Sequence, residues 1–146
     1  MVQRYLVVYI DTALMLVTSI IYFIVAFQDY TQLLQSSSSS SNIQDILATR
    51  NEMIFFIIVG IAYIPIAIWM LIAKYGNLIL YSIAIAGSAA LIIFYILTRS
   101  INIPYIGLQT DTGAIDITAK ILQGAIVFMS MYILKRVKYT KHQLAK

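Results

Sequence analysis

The sequence predicts an all-α fold, a bundle of four transmembrane helices with both termini cytoplasmic. Three observations predict it. Of 146 residues, 61% are hydrophobic and only 11% charged, with a mean hydropathy of +0.87. A soluble domain carries about 25% charged residues, and so small a globule has no interior large enough for this much apolar surface. The apolar residues fall into four runs, each long enough at about 1.5 Å per residue to cross a hydrocarbon core of roughly 30 Å. The charges gather between and after those runs.

The first run, YLVVYIDTALMLVTSIIYFIVAF, spans Tyr5–Phe27. It is longer than a signal-peptide core and no small-x-small cleavage pattern follows it, so it reads as a retained helix. Asp11 lies inside it, on the same helical face as Arg4 seven residues earlier. Its nearness to the start of the run favours an interfacial carboxylate that pairs with Arg4 or reaches the headgroups. The other reading is an ion-handling carboxylate that faces the bundle.

Residues 28–52 read as an outer loop. Six consecutive serines, Ser36–Ser41, form a flexible linker. After them Ser41 or Asn42 is placed to cap a helix, Asp45 favours its first turn, and Ile43, Ile46 and Leu47 keep helical spacing. That helix should run without a break into the second span, Met53–Ala73. Pro65 removes an N–H there and predicts a kink. Trp69 and Tyr75 fit an aromatic belt. The turn AKYGN, with Lys74 and Gly76, is short enough that the second and third spans must be antiparallel neighbours.

The third span, Leu78–Ser100, has a centre of small residues. Ala84, Ala86, Gly87, Ser88 and Ala90 are the candidate helix-packing face, because small residues let backbones approach closely in lipid. The stretch Arg99–Lys120 then interrupts the apolar pattern. Pro104, Gly107 and Gly113 prevent one continuous helix, so a polar outer hairpin is expected. Thr110 or Asp111 should start a turn, and Gly113 should take a backbone angle that other residues resist. The fourth span covers Ile115–Leu134. Asp116 and Lys120 are an i,i+4 pair, and Gln123 continues their face. Asp11, Arg99, Asp111, Asp116, Lys120 and Gln123 are therefore the candidates for a polar or ion path.

Lys135, Arg136, Lys138 and Lys141 open a basic tail. Beside a membrane span such a tail anchors to anionic headgroups on the cytoplasmic side rather than to nucleic acid. Arg4 and Lys74 fall on the same side as the tail, and Arg50, Arg99 and Lys120 on the other. The expected location is the cell membrane.

Several chemistries are poorly served. The chain has no cysteine and one histidine, His142, which removes thiolate sites, disulfides and most histidine-dependent catalysis. The string DTGA, Asp111–Ala114, matches the catalytic loop of aspartic proteases, but a single copy after a membrane span has no β-rich domain to sit in. Met129 and Met131 point to different helix faces, against a copper ladder. No phosphate-binding glycine loop is present. No catalytic residue, metal or cofactor is expected.

The segment TRSINIPYIGLQTDTGAIDITAKILQ resembles the connection between the third and fourth helices of small four-helix membrane proteins from prokaryotes, archaea included. Arg99 ends a span, Ile103–Pro104 makes a hydrophobic-proline step, and Asp111, Gly113 and Asp116 lead into the last helix. The resemblance implies topology and no particular activity. Low charge and a small-residue face favour a non-catalytic accessory or scaffold subunit with protein partners in the bilayer. The alternative is a small transporter or channel with its path entering from the outer hairpin.

Overall fold

The computed structural model describes residues 2–36, 43–73, 77–101 and 113–144, with side chains for 6–35, 43–73, 77–101 and 113–137. They form α1 (Val2–Ser36), α2 (Ile43–Ala73), α3 (Leu78–Ser100) and α4 (Ala114–Leu144). Each is long and apolar enough to cross a membrane, and together they make a multi-pass membrane protein. Helices suit that solvent because every backbone N–H and C=O finds a partner within its own segment.

The ends follow local chemistry. The side chain of Asn77 accepts from the backbone N–H of Ile79 at 3.1 Å and caps α3. At the other end of α3 the N–H of Ile101 donates to the carbonyl of Leu97. Asp45 and Asp116 lie in the first turns of α2 and α4, where a carboxylate meets the positive end of the helix dipole. Gly113 precedes α4 and its carbonyl accepts from Ile117 N–H. It does not take the left-handed conformation expected of it, because the first turn of α4 needs only its carbonyl. Pro65 is exposed inside α2, which is helical on both sides of it.

Two helices outrun their apolar stretches. α1 continues past Phe27 to Ser36, and α4 past Leu134 to Leu144. Hydropathy marks where lipid ends, whereas a helix ends where its sequence stops supporting backbone bonding. Gln28 to Gln35 contains neither glycine nor proline, so α1 has no reason to stop at the bilayer edge.

α1 packs most extensively on α2, α3 on α4, and α1 also on α4; α2 and α3 touch least. Among the described residues the backbones of the diagonal pairs α1–α3 and α2–α4 do not approach each other closely. The inward stripe of α1 is Val8, Asp11, Thr12, Met15, Thr18, Ser19, Tyr22 and Ala26, all buried. That of α4 is Ala119, Gln123, Ile126, Ser130 and Ile133. Both repeat at the alternating three- and four-residue steps of heptad packing. The opposite faces are apolar and exposed, with Phe27, Ile72, Ile79, Ile121 and Phe128 outermost, as lipid-facing surface should be.

α1 and α2 approach each other closely at Gly60. Its carbonyl accepts a 2.7 Å hydrogen bond from Ser19 Oγ, and an added Cβ would stand 3.2 Å from the Phe23 ring. Gly87 on α3 has open space around it. Gly60→Leu should therefore destabilise the bundle by about 1–3 kcal/mol, the usual cost of overpacking, while Gly87→Leu should not. Thermal unfolding of both variants in detergent tests this contrast.

A polar network that joins all four helices

The centre of the candidate site is Gln123, fully buried on α4. Its Nε2 donates to Tyr22 Oη on α1 at 2.5 Å and to Tyr63 Oη on α2 at 3.5 Å. Tyr63 Oη in turn shares a 2.9 Å hydrogen bond with Ser88 Oγ on α3. One turn toward the hairpin end, Lys120 Nζ donates to Tyr22 Oη at 3.0 Å and to Gln123 Oε1 at 3.2 Å. Every helix contributes at least one member. The rings of Tyr22 and Tyr63 stack with centroids 6.3 Å apart, and Tyr22 also stacks on Phe56.

Lys120 is half-buried and its ammonium also faces the rings of Tyr95 and Tyr22, at 5.0 and 5.5 Å from their centroids. Such contacts contribute about 0.5–2 kcal/mol each, more as water is excluded. Asp116 does not pair with Lys120, as the i,i+4 spacing led one to expect. It pairs across the α3–α4 seam with Arg99, whose Nη2 lies 3.1 Å from Asp116 Oδ2. The guanidinium of Arg99 stacks 3.7 Å from the centroid of Tyr95. The fork of an arginine suits a carboxylate better than a lysine on the same helix does, and that choice frees Lys120 to turn inward.

Asp11 lies apart from this network. It is fully buried and faces the bundle, and Ser130 Oγ on α4 donates to its Oδ2 at 2.7 Å. Asp11 Oδ1 and Thr12 Oγ1 are buried without a hydrogen-bond partner. The inward phase of α1 explains the position: Asp11 falls on the stripe of Val8, Met15 and Tyr22. Between the two polar groups stand Met15 and Ile126, both fully buried.

Of the remaining candidates, Asp111 lies outside the described residues. So do most of the polar hairpin and the side chains of Lys138, Lys141 and Arg4. Lys135 and Arg136 are exposed, and Arg136 stacks on Tyr132. The small-residue face of α3 divides. Ala84 and Ser88 are buried in the bundle, whereas Ala86, Gly87 and Ala90 are exposed on the other side, because the inward stripe of α3 runs Leu80, Ala84, Ser88 in four-residue steps and misses them. Sequence reasoning missed Tyr22, Tyr63 and Ser130. Their signal was the seven-residue spacing of Met15 to Tyr22 and of Gln123 to Ser130. Among the described residues no three His, Asp or Glu side chains come together to hold a metal.

The comparisons with known proteins name no relative: no protein-family model, no curated protein and no solved structure matches this chain.

Gln123→Leu should cost about 1–3 kcal/mol, since it leaves the hydroxyls of Tyr22 and Tyr63 and the ammonium of Lys120 short of a buried partner. Unfolding in mixed micelles, read by circular dichroism, measures it. A variant as stable as the wild type would show that the network adds nothing to the fold.

Proposed function

We propose that this chain is a small transporter or channel of the cell membrane, with a polar path that enters at the hairpin end. The observation that supports this best is the placement of Lys120 and Gln123. A half-buried ammonium and a fully buried amide occupy the shared interior of four helices, directly inside the Arg99–Asp116 pair. Ionisable groups are costly in a bilayer and mark ion or substrate pathways. The path runs from Arg99 and Asp116 past Lys120 to Gln123, and the Met15–Ile126 layer closes it in this conformation. Both termini are cytoplasmic on this reading, since the basic tail dominates the charge asymmetry.

Proteoliposomes test the path with two probes, an internal pH dye for protons and a chloride-quenched dye for anions. Lys120→Met removes a fixed positive charge. It should raise proton passage or lower chloride passage by about tenfold, a barrier change of roughly 1.4 kcal/mol. Rates of both probes unchanged in Lys120→Met and Asp116→Asn would end the reading.

A second reading, an accessory subunit without catalysis, is favoured by the outward face of α3. Ala86, Gly87 and Ala90 leave a shallow apolar surface with open space over Gly87, and such surfaces admit a partner helix closely. The chain has no cysteine, so a single introduced one is unambiguous. Gly87→Cys should crosslink in native membranes to a heterologous protein on this reading, and only lipid-reactive reagents should reach it on the first. In the same series, Ser39→Cys should be labelled from outside the cell and His142→Cys only after permeabilisation.

A further inference from the structure

Asp11 is the only charged residue in a thick apolar slab. Residues 5–28 of α1 carry no other charge, and 53–73 of α2, 78–98 of α3 and 121–134 of α4 carry none at all. The nearest charges along α4 are Lys120, beyond the Met15–Ile126 layer, and Lys135 and Arg136, which are exposed; on α1 the side chain of Arg4 lies outside the described residues. Of the phenols, Tyr63 is bonded to Ser88 and Gln123 and Tyr22 to Lys120 and Gln123, Tyr95 faces Arg99 and Lys120, and Tyr81 on α3 is buried; Tyr9 on α1 and Tyr132 on α4 are exposed. No cation among the described side chains pairs with the Asp11 carboxyl. Ser130 donates to one oxygen and the other is buried with no partner.

A bare carboxylate in this position would be shut from solvent, with no counter-ion among the described side chains. Its burial would cost far more than a single hydroxyl hydrogen bond returns. Something must supply the missing positive charge. A metal cation needs about six oxygens. The described side-chain oxygens near Asp11 are its own pair, that of Ser130 and that of its neighbour Thr12, and helical carbonyls are already engaged. A proton needs one oxygen.

We propose that Asp11 and Ser130 form a proton-binding site within the bundle. Asp11 takes a proton from water onto Oδ1 and returns it to water when the α1–α4 seam opens, while Ser130 holds Oδ2. The site lies on the same seam as the path proposed above and, resting on that reading, identifies the proton as the ion that this end of the path handles.

Infrared spectroscopy of the full chain in lipid tests the site without reference to flux. The wild type should show the carbonyl band of a protonated carboxyl at neutral pH. Asp11→Asn should remove it. Ser130→Ala should keep it and move it to higher frequency, since the carbonyl loses its donor, and this variant serves where Asp11→Asn fails to fold. A band that responds in this way supports the site even where Lys120→Met leaves every flux unchanged, so the transport reading can fail alone. No band at neutral pH, or one indifferent to both substitutions, overturns the site even if Lys120→Met alters flux. A band that appears only when sodium is replaced by choline assigns the carboxylate to a metal cation and also overturns it.

Discussion

The amide of Gln123 fixes the relation of the four helices. In lipid, apolar side chains gain little by leaving the solvent for one another, so association rests on close packing and on hydrogen bonds. The greasy surface that drives these helices into the bilayer cannot choose their rotation or vertical register. Tyr22, Tyr63 and Gln123 can, because each hydroxyl and amide has its partner at one rotation and one height only. Ser88 extends the same constraint to α3 through Tyr63. A slip of one residue in any helix would leave buried donors and acceptors open, at a cost well above that of moving one aliphatic contact.

The seams are unequal in a way this network accounts for. α1 and α2 meet closely because Gly60 offers its carbonyl to Ser19. α3 and α4 are clasped at the hairpin end by Arg99 and Asp116. α2 and α3 follow one another in the chain, yet they are the least engaged neighbours. Their described links are the Tyr63–Ser88 hydrogen bond and the Phe55–Phe94 ring contact. Chain connectivity near Asn77 holds them at one end, and both helices add apolar side chains to the shared core. Small residues do not decide this seam: Gly87, the smallest in α3, faces away from the bundle.

How much of this was legible in the sequence depends on the range of the interaction. Four spans are a local property, visible as runs of apolar residues, and they were read correctly. The bounds of α1 and α4 were not, because Asp29 and Gln32 end a hydropathy window without ending a helix. Asp11 was placed at the membrane rim by its distance from the start of a run. Its heptad partners Val8 and Met15 point it inward, and phase was the better guide. The i,i+4 pairing of Asp116 with Lys120 failed because a local rule competed with an arginine seventeen positions away. The bonds of Lys120 and Gln123 to Tyr22 join residues about a hundred positions apart. Only the seven-residue step from Met15 distinguishes Tyr22, one of eleven tyrosines.

The bundle keeps three kinds of charge-bearing side chain at three places along the α4 helix, each by a different device. At the hairpin end, where water is near, Arg99 and Asp116 neutralise each other and Tyr95 covers the guanidinium. One layer deeper, Lys120 has no carboxylate bonded to it; two oxygen acceptors and two aromatic faces take its place. Toward the other end of the same seam, Asp11 has a single hydroxyl and an unpartnered oxygen. Compensation is thus poorest at Asp11, the reverse of what fold stability alone favours, since a charge within hydrocarbon is costly. A leucine at position 11 would pack as well as its neighbours Val8 and Met15 and would need no partner. The persistence of a carboxyl there, on the inward stripe and against a serine hydroxyl, is the strongest physical argument that the interior of this bundle does more than hold its helices together.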